Sequence, residues 1–116
     1  MRNPPYSCGA DAAIDVVAGK WKPLILCALF ERTHRFGELR RALHGEISEK
    51  VLTQQLRELE ADGLVHRQVY DELPRRVEYS LTAAGATLNE ALIPLAEWGD
   101  RRMDELGIAP ARRAFA

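Results

Sequence analysis

The sequence predicts a mainly α-helical α+β fold that contains one small β-hairpin. Apolar residues recur at the 3.6-residue period of amphipathic helices along most of the 116 residues. At residues 64–81 the period changes to 2, and Pro74 interrupts it, as expected for two strands joined by a loop. A chain of this length can bury one core without disulfides, so we expect one domain.

Four short helices are predicted before the hairpin. The apolar period places them at residues 10–18, 20–30, 36–43 and 48–62. Gly19, Gly45 and Gly63 follow the first, third and fourth of these helices and are suitable helix stops. His34 and Arg35 form a link between the second and third helices, which we expect to be extended. The expected core face of the second helix consists of Trp21, Leu24, Ile25, Ala28 and Leu29.

The helix at 48–62 has two different faces. Leu52, Leu56 and Leu59 fall on one face, which must be buried in a core. The nearly opposite arc carries cations and polar side chains and no acid, namely Lys50, Thr53, Gln54 and Arg57. Arg and Lys can pair with phosphate or guanine, and Gln can pair with adenine. Ser48 is a suitable N-cap residue. A solvated helix face would show the same pattern, so this helix alone does not establish a function.

The second half of the chain is predicted to be a hairpin followed by a long helix. The strands are expected at 64–70 and 76–81, with Arg75 and Arg76 at the end of the loop between them. Thr82 then caps a helix that runs to about residue 106. The apolar stripe of this helix consists of Leu88, Ala91, Leu92, Leu95 and Trp98.

The order of these elements predicts a winged helix-turn-helix. Two short helices joined at the Gly45 turn form the helix-turn-helix, and the hairpin that follows forms the wing. In this arrangement the second helix enters the major groove of DNA. Residues 35–57 carry more cations than acids, which suits a contact with phosphate. The candidate DNA-binding residues are Ser48, Lys50, Thr53, Gln54, Arg57, Arg35, Arg40, Arg41, Arg75 and Arg76.

Composition limits the class of protein. The net charge of −1 argues against a globally basic nucleic-acid binder but permits a local basic face. No apolar run approaches the roughly 20 residues of a membrane span, and the first residues do not resemble a signal peptide. Cys8 and Cys27 are too few for a disulfide scaffold. We therefore expect a cytoplasmic protein with no membrane partner, which associates with the nucleoid when it binds DNA.

Several motifs together resemble the HxlR family of bacterial transcriptional regulators, within the MarR-like superfamily. The resemblance extends from about Cys8 to Trp98-Gly99, which is most of the chain. The motifs that carry it are Cys8-Gly9, Gly19-Lys20-Trp21, Phe36-Gly37-Glu38-Leu39-Arg40-Arg41, Ile47-Ser48, Leu52-Thr53-Gln54-Gln55-Leu56-Arg57-Glu58-Leu59-Glu60, Asp62-Gly63-Leu64 and Val77-Glu78-Tyr79-Ser80-Leu81-Thr82.

The resemblance implies a homodimer that binds a pseudo-palindromic operator in double-stranded DNA. It implies that the first and last helices form the dimer interface, and that the regulator responds to electrophiles, oxidants or small metabolites. The candidate interface residues are Ile14, Val17, Leu88, Leu92, Leu95 and Trp98. The expected organisation is an arm at 1–8, a winged helix-turn-helix at 9–81, a dimerisation helix at 82–107 and a tail at 108–116.

Cys8 matches the position of the oxidant-sensing cysteine in some members of that family. Such sensing requires an accessible thiolate, which a helix N-terminus favours, and a partner thiol. The alternative interpretation is that Cys8 is a small residue packed at the dimer interface. Cys27 lies in an apolar helix and is expected to be an inert core cysteine. The partner thiol would therefore be Cys8 of the other subunit or a small thiol.

Other classes of function find little support in the sequence. The three histidines, His34, His44 and His66, lie on different elements and lack the spacing of a zinc site. No catalytic set or phosphate-binding glycine loop is recognisable, so we expect no metal, no cofactor and no enzymatic activity. Two alternatives to a DNA-binding regulator of this type are left open. One is a winged helix that binds protein, and the other is a metal- or ligand-sensing winged-helix repressor of a related family.

Overall fold

The computed structural model describes residues 4–110. Within this range it contains α1 (Gly9–Val17), α2 (Lys22–Glu31), β1 (His34–Arg35), α3 (Phe36–Ala42), α4 (Glu49–Ala61), β2 (Val65–Tyr70), β3 (Arg76–Leu81) and α5 (Ala83–Leu106). This order confirms the predicted mainly α-helical fold with a β-hairpin wing. Parts of the predicted arm and tail, residues 1–3 and 111–116, lie outside the described residues.

The sheet has three antiparallel strands in the order β1-β3-β2. The hairpin pairs Val65 with Leu81 at its base and Tyr70 with Arg76 near its tip. The predicted extended link at His34-Arg35 forms β1, which is an edge strand of this sheet, and its His34 pairs with Tyr79 of β3. Two residues are too few to show the period of a strand, so the sequence alone does not predict that this segment pairs with β3. This pairing attaches the start of the helix-turn-helix to the wing.

The core lies between α2, the helix-turn-helix and the base of the hairpin. Its buried apolar residues are Ile25, Leu26, Ala28, Leu29, Leu39, Leu43, Ile47, Leu52, Leu56, Leu59, Leu64 and Val65. The leucine face predicted for α4 is buried as expected. Leu26 is fully buried although it lies off the predicted core face, and Trp21 is only half-buried. Lys22, Ile25, Leu26 and Leu29 recur at the i, i+3, i+4 and i+7 spacing, so the buried face of α2 is rotated from the predicted one toward Leu26 and Lys22.

Side-chain caps fix the beginnings of α4 and α5. Ser48 Oγ accepts a hydrogen bond from the backbone N–H of Val51 at 3.1 Å, which caps α4 as predicted. Thr82 Oγ1 accepts from the N–H of Gly85 at 3.0 Å and donates to the carbonyl of Gly63 at 2.7 Å. Thr82 therefore joins the start of α5 to Gly63, which follows the end of α4.

The distal half of α5 carries apolar side chains that the core of this chain does not cover. Leu88 and Leu92 are half-buried against the core. Further along the helix, Leu95 is 61% exposed and Trp98 is 59% exposed. On α1, Ile14 is 64% exposed. No helix in the described part of the chain is long and apolar enough to cross a membrane.

Gly85 allows α5 to approach the end of α4. A Cβ atom at this position would lie 2.1 Å from the carbonyl oxygen of Leu64 and 3.2 Å from a methyl carbon of Leu81. The first of these distances is far inside van der Waals contact with backbone, which cannot rotate away. The position therefore requires glycine for close packing rather than for an unusual backbone angle.

We expect Gly85→Ala to lower the free energy of unfolding by on the order of 1–3 kcal/mol, because α5 must move away from Leu64. Urea unfolding measures this change. Gly37→Ala is the matched control, since Gly37 is also helical and an added Cβ meets only an Arg41 side-chain atom at 3.5 Å. Equal stability of the Gly85 variant and the wild type would contradict the close approach.

Candidate nucleic-acid interface

The helix-turn-helix is held by its turn and by an arginine that spans it. His44 and Gly45 both have positive φ angles, 62° and 66°, and their N–H groups close the end of α3 onto Arg41 and Arg40. Arg40 Nε donates a hydrogen bond to the carbonyl of Ile47 at 2.8 Å. Arg40 therefore stabilises the angle between α3 and α4, in addition to any contact with phosphate that its half-exposed side chain makes.

The polar face of α4 is open to solvent. Lys50, Gln54 and Arg57 are exposed, and Thr53 is half-buried. Glu49 and Glu58 share this surface with them, so the expectation of an arc without acids is wrong. Residue 58 lies one helical turn beyond Gln54, and the i, i+4 spacing could have identified it. Both acids have cationic neighbours, since Glu49 lies 4.0 Å from Arg40 Nη1 and Glu58 contacts Lys22.

The contact between Lys22 and Glu58 is a close ion pair. Lys22 Nζ lies 2.6 Å from Glu58 Oε1 and donates a hydrogen bond to it. The Lys22 side chain is only 4% exposed, whereas that of Glu58 is 32% exposed. The other carboxylate oxygen of Glu58 accepts a hydrogen bond from Gln54 Nε2 at 3.5 Å. The Glu58 carboxylate thus links the buried Lys22 of α2 to Gln54 on the polar face of α4.

The two arginines predicted at the wing have different surroundings. Arg75 is exposed at the loop. Arg76 packs over the ring of Tyr70 at 4.0 Å, and its Nε lies 3.5 Å from Glu72 and 3.6 Å from Glu78. The wing therefore presents Arg75 outward, while the charge of Arg76 is largely neutralised within the hairpin.

A second cleft links α4 to the wing and includes a cation that sequence reasoning missed. Thr53 and Arg57 of α4 line it together with Arg67 and Tyr79 of the sheet. Arg67 is exposed on β2. The alternating pattern of β2 places Arg67 on one face of the hairpin, but either face of a hairpin can carry solvated charge. The pattern therefore does not distinguish Arg67 from an ordinary surface residue. In the fold it extends the basic surface from α4 to the wing.

Arg35, at the N-cap of α3, and Arg41, in its last turn, are both exposed. The backbone N–H of Arg35 donates to Glu38 Oε1 at 2.8 Å. This hydrogen bond, aided by nearby cations including Arg32, holds the pKa of the Glu38 carboxyl below its usual value. The bond satisfies a free N–H at the helix start. It thereby keeps the Arg35 backbone, and the strand pairing beside it, in a fixed position.

The two cysteines differ in exposure. Cys8 is exposed and occupies the N-cap position of α1. Cys27 is half-buried, and burial, followed by the charge of Glu31, raises the pKa of its thiol. Burial thus favours the protonated thiol of Cys27. The residue lies outside the buried core cluster, however, so the expectation of a core cysteine is wrong as to its position. Among residues 4–110 no group of three or more His, Cys, Asp or Glu side chains is placed to hold a metal ion.

A cleft of about 450 Å³ lies between α2 and α5, and we call it the α2–α5 cleft. It brings together three of the predicted interface residues, Val17, Leu92 and Leu95, with Cys27 on its wall. Ile14 and Trp98 are exposed outside it, whereas Leu88 and Leu92 are both half-buried against the core. The cleft therefore gathers three of the six predicted interface residues, and Ile14, Leu95 and Trp98 remain exposed.

The fold agrees with comparison to known proteins. Residues 16–106 match the model of a family described as HxlR-like helix-turn-helix. The chain belongs to this family. It is 41% identical over 106 residues to YdeP of Bacillus subtilis, an uncharacterised HTH-type transcriptional regulator, and the match covers 91% of this chain and 82% of YdeP.

Solved structures of similar proteins extend the comparison. The redox regulator HypR in its reduced form is 43% identical, with a TM-score of 0.79 over 86% of this chain and 98% of HypR. The diamide-treated form of YodB from B. subtilis is 31% identical, with a TM-score of 0.71 over 89% of this chain and 97% of YodB. The resemblance to HxlR-type transcriptional regulators is thus confirmed, and this protein is a transcriptional regulator of that type.

Proposed function

We propose that this HxlR-type regulator binds duplex DNA sequence-specifically as a homodimer. The observation that carries the proposal is the exposed face of α4, where Lys50, Gln54 and Arg57 project from a helix whose other face is buried. A rigid helix with an open polar face suits insertion into the major groove. A protein-binding winged helix would more often expose apolar side chains at these positions.

The cations around α4 would contact phosphate and set the register on the duplex. Arg41 and Arg35 on α3, Arg75 and Arg67 on the wing, and the capped start of α4 at Ser48 surround the proposed reading face. Phosphate contacts position the protein, and base contacts specify the sequence. We therefore assign base readout to Gln54, Thr53 and Lys50, with Arg57 able to reach either guanine or phosphate.

The apolar surface of α1 and the distal half of α5 supports the proposed dimer. Ile14, Leu95 and Trp98 are large side chains left exposed in one subunit, and burial of such residues favours association. In a two-fold dimer the two α4 helices would enter successive major grooves about 34–36 Å apart. Regulation would then act on this distance, because a small rotation at the interface misaligns both helices.

We further propose that Cys8 senses oxidants. Its exposure at the start of α1 supports access, and the related redox regulator HypR is known in oxidised as well as reduced form. Two thiols would lose two protons and two electrons to the oxidant and form a disulfide. The second thiol would be Cys8 of the partner subunit or a small thiol.

We expect Gln54→Ala to weaken binding to the cognate site by about 1–3 kcal/mol and to leave non-specific binding nearly unchanged, because only base contacts distinguish the two DNAs. Fluorescence anisotropy at fixed salt measures both affinities. Gln55→Ala is the matched control, since Gln55 is a half-buried neighbour outside the proposed reading face. Equal losses on both DNAs would remove Gln54 from base readout.

We expect the wild type to sediment as a dimer at micromolar concentration and Leu95→Asp to sediment as a monomer, because a carboxylate would be buried without a partner. Leu73→Asp serves as the control, since Leu73 is fully exposed at the wing, away from α5. A monomeric wild type under these conditions would refute the dimer.

We expect diamide to release DNA from the wild type and from Cys27→Ser, but not from Cys8→Ser. The reason is that only the exposed thiol is accessible for disulfide formation. A DNA-binding titration before and after diamide treatment measures the effect. Identical release from the wild type and Cys8→Ser would reject Cys8 as the sensor.

A further inference from the structure

We infer that Glu58 is a positioning residue for base readout, which holds the Gln54 amide in one orientation while Lys22 holds Glu58. The inference rests on the proposed DNA binding and adds a residue that need not touch DNA itself. It concerns three side chains from two helices that the fold brings into one chain of hydrogen bonds: Lys22, Glu58 and Gln54.

The first step is that Glu58 is anchored from inside the protein. Lys22 is almost fully buried, and its ammonium group lies 2.6 Å from Glu58 Oε1. A buried ammonium group without a partner is strongly unfavourable, so Lys22 keeps the carboxylate close. Glu58 is therefore far less free to rotate than an ordinary glutamate on a helix surface.

The second step is that an anchored carboxylate fixes which end of the Gln54 amide faces it. A carboxylate only accepts hydrogen bonds, so the NH₂ group of Gln54 must point toward Glu58 Oε2, as observed at 3.5 Å. The amide retains its carbonyl oxygen and its second N–H. These are the acceptor and donor that glutamine uses on the edge of adenine. Glu58 thus orients Gln54 without occupying the groups that read the base.

The third step concerns charge. Glu58 lies on the same open surface as Lys50 and Arg57, where an unpaired acid would repel phosphate. Its ion pair with Lys22 offsets this charge from the side that DNA does not reach. The polar face of α4 therefore gains a fixed hydrogen-bond acceptor in Glu58, while the repulsion between the Glu58 carboxylate and DNA phosphate is reduced.

The test uses Glu58→Gln, which has nearly the same shape. A carboxylate has two accepting oxygens, one for Lys22 and one for Gln54, whereas an amide has only one. The buried Lys22 should take that oxygen, and the new NH₂ group should then make Gln54 turn its own amide around. Glu90→Gln is the matched control, because Glu90 is an exposed helical acid on α5 and lines neither cleft beside α4.

The measurement is a competition between the operator selected by the wild type from random duplexes and its single-base-pair variants, at one salt concentration. We expect Glu58→Gln to relax discrimination about fivefold at one base pair. This should be the same base pair that Gln54→Ala relaxes. In the Gln54→Ala background, Glu58→Gln should add no further relaxation there, and Glu90→Gln should leave every position unchanged.

Three outcomes would overturn the inference: unchanged discrimination in Glu58→Gln, relaxation at a base pair unrelated to Gln54, or an equal effect of Glu90→Gln. Urea unfolding of each variant checks the fold. If Glu58→Gln does not fold, Glu58→Asp retains the charge, shortens the side chain and is held to the same criteria. A wild type with no preference among duplexes would instead refute the proposed function itself.

Discussion

The structure depends on the burial of one face of α4. Leu52, Leu56 and Leu59 are at most 2% exposed and belong to the same core as the residues of α2. Because side chains on a helix have fixed relative directions, burial of these leucines determines where the opposite face points. The Ser48 cap and the turn held by Arg40 then fix where α4 begins. The apolar core thus sets the orientation of the polar residues proposed to read DNA.

The same structure divides the arginines into two groups. Arg40 donates to the backbone of the turn, and Arg76 is held between Tyr70 and two carboxylates in the wing. Arg41 and Arg75 are exposed, and residues 4–110 show no ion pair or hydrogen bond for either side chain. A protein of net charge −1 can therefore still present a local basic surface, because that surface depends on where the exposed arginines lie and not on the total charge. Arg40 and Arg76 stabilise the turn and the wing next to these exposed arginines.

Period and turn residues were sufficient to predict the elements of this fold. The helices begin and end within two residues of the predicted bounds, and the strand at Arg76–Leu81 is as predicted. The pairing of β1 and the Lys22–Glu58 contact could not be predicted, because both depend on residues far apart in sequence. Lys22 in particular lies on an apolar helix, where the sequence alone suggests a cation that extends to solvent. Arg76, predicted to contact DNA, lies instead beside Glu72 and Glu78, and because both acids are close in sequence the sequence itself could have indicated these ion pairs.

The position of Lys22 connects the reading face to the other half of the molecule. It lies in the first turn of α2, next to Pro23 and Leu24, which line the α2–α5 cleft. Any change of packing in that cleft that displaced this turn would lengthen the ion pair with Glu58 and release Gln54. Such a change would lower sequence discrimination while leaving phosphate contacts intact. In the proposed dimer, a change in the spacing of the two α4 helices would instead weaken all contacts together. Non-specific binding would therefore distinguish these two proposed modes of regulation.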